Sequence, residues 1–98
     1  MHPTCPFCLL LAEDDTRMID GHTGLIVPNA PRRAGHILLV PLEHLTDAAR
    51  HPTAIGRLFG TATWMARQRG HDQFKLQLNN GRRAGQTVDH LHVHLIPY

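Results

Sequence analysis

The chain has 98 residues, enough for one domain with one modest hydrophobic core. Hydrophobic residues make up 42% of it, as in ordinary globular folds, and no stretch approaches the about 20 apolar residues that a membrane helix needs. The net charge of +2 is too small to argue for a nucleic-acid partner. The opening MHPTCPFCLLLAEDD has no basic start and too short an apolar run for a signal peptide, so the cytoplasm is the expected compartment. Nine histidines are the compositional anomaly, and they are dispersed rather than consecutive as in a tag.

Residues 5–12 (CPFCLLLA) read as a knuckle followed by a helical turn. Residues 15–19 and 23–28 read as two short strands, broken by a turn at Asp20-Gly21. Asn29 to Gly35 is a loop carrying Pro31, Arg32 and Arg33. Residues 36–40 (HILLV) form a short apolar strand stopped by Pro41, of the kind buried in a sheet. The long helix runs from about Pro52, which suits a first helical position, to Arg69, with Gly70 as its C-terminal cap. Ile55, Leu58, Phe59, Ala62 and Met65 give that helix one apolar face. Phe74 to Leu78 alternates with strand period, a loop from Asn79 to Thr87 follows, and a last strand covers about Asp89–Pro97. There is no internal repeat, linker or regular βαβ alternation. Residues 1–98 therefore form a single α+β domain, with an antiparallel sheet of about five strands, one long helix and a short N-terminal helix.

The chemistry concentrates in Asp89-His90-Leu91-His92-Val93-His94-Leu95-Ile96-Pro97. Side chains alternate across a strand, so His90, His92 and His94 share one face, while Leu91, Val93 and Leu95 face the core. Thr, Lys or Glu would be the usual occupants of a merely solvated face. Two functional readings fit. Imidazoles spaced by two can bind a metal whose bound water is the nucleophile. Alternatively one imidazole is itself the nucleophile, with its neighbours and the adjacent loop stabilising a phosphorus centre. The preceding Gly81-Arg82-Arg83-Ala84-Gly85-Gln86-Thr87 is basic and rich in donors, which a phosphate site requires and a water-activating zinc site does not. The Arg32-Arg33 and Arg82-Arg83 pairs flank this chemistry and could attract anions.

AGQTVDHLHVHLIP resembles the signature of the histidine-triad family, in which three histidines alternate with apolar residues after a Gly-Gln-Ser/Thr-Val segment. Gly35-His36-Ile37-Leu38-Leu39-Val40-Pro41-Leu42-Glu43-His44 is similar to the family's second segment, and the two lie in the expected order. The resemblance implies a nucleotide hydrolase or transferase with His92 as nucleophile. Attack at the α-phosphorus of a purine nucleoside phosphoramidate or (di)nucleoside polyphosphate would form a nucleotidyl-histidine, from which water releases a nucleoside monophosphate. His90 would supply the carbonyl that fixes the tautomer of His92. His94 and His36 would line the phosphate pocket. Asn79, Gln86 and Thr87 match positions around the phosphate, and Asn29 stands beside the position often used for ribose, here Pro28. Leu25, Ile26 and Val27 are candidates for an apolar wall against the base. Thr87, the compact size and the zinc ligands described below lean towards phosphoramidates. Family members usually dimerise through the long helix and an edge strand, where Trp64 of the helix could serve, so a homodimer is expected.

Cys5-Pro6-Phe7-Cys8 allows a redox pair of glutaredoxin type, but that motif needs a preceding strand, and only four residues come before Cys5. A disulfide is disfavoured in a cytosolic chain. Some members of the family complete a zinc site with two histidines, and their positions here are His44 and His90. The resemblance thus implies a structural Zn²⁺ on Cys5, Cys8, His44 and His90, with no catalytic cofactor. A nucleotide-binding scaffold with little turnover and a metal-dependent hydrolase are the competing functions.

Overall fold

The computed structural model describes residues 2–98, with only the backbone of Thr16. Strands β1 (Thr23–Ile26), β2 (Ile37–Pro41), β3 (Phe74–Gln77) and β4 (Val93–Pro97) form one antiparallel sheet in the order β1-β2-β4-β3. Helix α1 (Pro6–Glu13) packs on one face and α2 (Pro52–Gln68) on the other.

The apolar run of β2 is explained by burial on both faces. Ile37 and Leu39 pack with Leu58, Ala62 and Ala66 of α2, whereas Leu38 and Val40 pack with Phe7, Cys8 and Leu11 of α1. β4 runs beside β2, with Leu38 opposite His94 and Ile37 opposite Leu95. Directly opposed residues share a face. Val93 and Leu95 therefore enter the α2 core with 0% exposure, and His94 stands on the α1 face. The alternation expected of the histidine segment holds from Val93 onward, within β4.

α2 starts at Pro52 and ends one residue before the expected boundary. Gly70 follows with φ +74, and the His71 N–H bonds back to the Ala66 carbonyl at 2.9 Å. This closes the helix as a left-handed glycine cap should. α1 is capped by the Cys5 thiol, which accepts from the Cys8 N–H.

Three expected strands are corrected. Residues 15–19 contain no regular strand: Asp15–Arg17 is a 3₁₀ turn, and Met18 makes an isolated bridge to Gly24. The Arg17 and Met18 N–H groups bond to the Asp14 and Asp15 carbonyls, so local turn bonds replace a ladder and the sheet has four strands rather than five. The last strand begins at Val93, not Asp89. His90 N–H bonds to the Val88 carbonyl at 2.8 Å and Leu91 N–H to the Leu45 carbonyl at 2.7 Å, which bends the chain before the ladder starts. β1 likewise ends at Ile26 rather than residue 28. No helix among the described residues is long and apolar enough to cross a membrane.

Candidate functional site

The bend before β4 sends neighbouring histidines to two different places. His90 is fully buried beside the N-terminus of α1. Its Nε2 lies 2.8 Å from the Pro41 carbonyl, which can only accept, so Nε2 carries the proton and Nδ1 keeps its lone pair. That Nδ1 sits 3.3 Å from Cys5 Sγ and 3.6 Å from Cys8 Sγ, and His44 Nδ1 is 3.4 Å from Cys8 Sγ. The four ligand atoms of Cys5, Cys8, His44 and His90 all lie within 4.8 Å of one another. Tetrahedral bonds of ordinary zinc–sulfur and zinc–nitrogen length place such atoms about 3.6 Å apart. The donor set and spacing therefore fit a closed four-coordinate metal site. Both cysteines are free. Among the described residues no strand precedes α1, so the glutaredoxin arrangement is absent. Burial pushes the Cys5 thiol up and the His44 and His90 imidazoles down.

His92 and His94 turn towards a cavity of about 430 Å³ on the α1 face. His36, one residue before β2, enters it from the neighbouring strand. Phe7 of α1 stands between cavity and cysteine cluster, edge-on to His92 at 5.3 Å and to His90 at 5.8 Å. His92 Nδ1 is 2.8 Å from the His90 carbonyl, so Nδ1 bears the proton and Nε2 the lone pair.

A second chain of bonds fixes the other two rings. The Arg32 peptide N–H donates to His36 Nδ1 at 3.1 Å. The proton of neutral His36 is then on Nε2, which is 3.0 Å from His94 Nδ1 and donates to it. His94 in turn holds its proton on Nε2. Burial, followed by the neighbouring His92, His36 and Arg32, brings the His94 pKa down to about 4. Burial and then Arg32 lower His36 in the same direction. Both rings are therefore neutral at pH 7.

The other candidates divide. Asn29 and Thr87 line the cavity. Gln86 instead accepts from the Gly81 N–H and donates to the Val88 carbonyl, holding the loop that follows the 3₁₀ turn Arg82–Ala84. Asn79 accepts from Gln77 Nε2 at 3.2 Å and is not on the cavity wall. Of the apolar candidates Ile26 and Val27 line the cavity, while Leu25 packs against the α2 core. Phe7 is a functional-site residue that the sequence does not mark: no periodic signal singles it out, because its place beside His92 and His90 depends on how α1 packs on the sheet.

A family model described as HIT domain matches residues 12–98. An adenylylsulfatase of Arabidopsis thaliana is 30% identical over 95 residues, covering 92% of this chain and 45% of its own length. A purine nucleoside phosphoramidase of Escherichia coli is 38% identical over 77 residues, covering 72% of this chain and 62% of its own. The chain thus spans about half to two thirds of these curated relatives. A zinc-bound histidine triad family protein from Mycobacterium smegmatis superposes with a TM-score of 0.84 at 26% identity, over 96% of this chain and 74% of that one.

Proposed function

The chain belongs to the HIT domain family of histidine-triad proteins, and from that premise we propose that it cleaves nucleoside phosphoramidates or (di)nucleoside polyphosphates at the α-phosphorus through a nucleotidyl-histidine on His92. The observation that carries this reading is the 2.8 Å bond from His92 Nδ1–H to the His90 carbonyl on a ring that lines the cavity. With the proton held on Nδ1, the lone pair of the neutral ring is on Nε2, which is the nucleophilic atom.

In this mechanism Nε2 attacks phosphorus and the leaving group departs with the bonding pair. Water then attacks the nucleotidyl-histidine, the nitrogen takes back its pair, and a proton passes to solvent as the monophosphate leaves. His94 Nε2–H donates to a phosphoryl oxygen or to the leaving group, held in that tautomer by His36. Thr87 contacts phosphoryl oxygens, and Asn29 the ribose. Gln86 and Asn79 shape the phosphate side of the pocket through the loop they brace. We assign zinc to Cys5, Cys8, His44 and His90. There it would anchor α1 and the segment that supplies the His90 carbonyl, with a contribution to folding of about 10 kcal/mol or more. The cytoplasm and a homodimer through α2 complete the proposal.

The metal-hydrolase alternative is less favoured, because among the described residues His90 belongs to the cysteine cluster and His36 and His94 are committed to each other. The discriminating experiment replaces His92 with Asn. Turnover should fall by about 10³-fold or more, with the Kd for a nucleoside monophosphate within about threefold. Wild-type turnover in this variant would overturn the nucleophile. A wild type that binds nucleotide without turning it over would leave the scaffold reading.

A further inference from the structure

Four arginines flank the site in sequence, but the fold uses them differently. Arg82 is paired with Asp89 at 2.9 Å. Arg33 donates to the Pro97 carbonyl at 2.9 Å and lies 4.2 Å over the Tyr98 ring. Arg32 alone of the four lines the imidazole cavity, whose wall includes no carboxylate among the described residues. Its guanidinium donates to the neutral Gln77 Oε1 at 3.3 Å, and it makes no ion pair with a described residue. Its backbone N–H is bonded to His36, so the root of the side chain is fixed one residue contact from the histidine relay. The charge is felt there, since Arg32 contributes to the lowered pKa of both His36 and His94. An uncompensated cation on the wall of a cavity free of anions is a site for an oxyanion.

Resting on the nucleotide-cleaving reading above, we propose that Arg32 determines leaving-group specificity, by binding the oxyanion released when a nucleoside 5′-phosphoric anhydride is cleaved. The His92 Nε2–P bond forms as the anhydride P–O bond breaks. The bonding pair stays on the departing phosphate- or sulfate-type oxygen, which gains a negative charge. Arg32 exchanges its long bond to Gln77 for charge-assisted bonds to that oxygen. An amine leaving group behaves differently. The P–N bond breaks, the nitrogen takes a proton, and no anion forms for the guanidinium to hold. Arg32 thereby favours anhydrides over phosphoramidates and acts on the departing half of the substrate.

The test compares kcat/KM of wild type, Arg32→Ala and Arg32→Lys on a diadenosine polyphosphate, adenosine 5′-phosphosulfate and adenosine 5′-phosphoramidate. Alanine retains the peptide N–H that holds His36, and an unchanged melting curve confirms the fold. Arg32→Ala should lose about 30-fold or more on both anhydrides and less than about threefold on the phosphoramidate, with lysine recovering part of the loss. Loss on one anhydride alone identifies which oxyanion is bound. Equal loss on all three substrates would place Arg32 on the shared nucleotide and overturn the proposal, as would no loss on any. If the wild type cleaves none of them, or His92→Asn cleaves them normally, the underlying reading fails as well.

Discussion

At the scale of the residue, the site is a set of tautomer assignments made by backbone groups. The Pro41 and His90 carbonyls place the protons of His90 and His92, and the Arg32 N–H places those of His36 and His94. Replacing His36 with Phe removes the donor to His94 Nδ1. The expected outcome in steady-state assays is a fall in kcat of about 10-fold or more with little change in KM. The depressed His94 pKa has a consequence for stability. An exposed histidine titrates near pH 6.5, whereas His94 in the fold titrates at about 4. Between these values the unfolded chain binds the proton and the folded chain does not, so stability falls as pH drops through that window. Denaturant unfolding at pH 7 and pH 4.5 should show the wild type losing about 2 kcal/mol more than His94→Gln. The resemblance already implied the His90 carbonyl as the partner of His92. The other assignments were not legible in the sequence: the Pro41 carbonyl reaches His90 and the His36 ring reaches His94 only once the chain is folded, and the Arg32 N–H meets His36 through the shape of the loop before β2.

At the scale of the element, boundaries followed local chemistry where local chemistry decided them. Pro52 and Gly70 bracket α2 as read, because a proline start and a glycine cap act within a turn. The Asp15–Arg17 turn and the late start of β4 escaped the reading because each is set by specific hydrogen bonds that periodicity does not encode. The bend at residues 88–90 carries functional weight, since an unbroken strand would keep His90 beside His92 instead of under the cysteines. α1 has only eight residues and needs tertiary support. If the proposed zinc occupies the cysteine cluster, chelation read by calorimetry should lower Tm by about 10 °C or more, and Cys8→Ala should reproduce the shift. The loop before β2 offers a separate check. Gly35 has φ +85, and a Cβ there would sit 3.0 Å from Pro97 Cγ, so Gly35→Ala should cost about 1–2 kcal/mol in urea unfolding.

At the scale of the whole molecule, the sheet separates support from chemistry. The α2 face holds the main apolar core, and the α1 face holds both the cysteine cluster and the imidazole cavity. The α+β class was readable because the apolar spacing of residues 52–69 and of 89–97 follows two different periods. The strand order was not, since placing β4 between β2 and β3 requires long-range pairing. Trp64 of α2 is 51% exposed, and the core does not absorb it. If α2 forms the proposed homodimer contact, sedimentation should give a dimer that Trp64→Arg converts to a folded monomer. The central claim, a covalent intermediate on His92, is tested most directly by stereochemistry at phosphorus. Hydrolysis of a substrate with a chiral α-phosphorothioate in ¹⁸O-water should proceed with net retention, from two successive inversions. Net inversion would mean that water attacks phosphorus directly and would contradict the account.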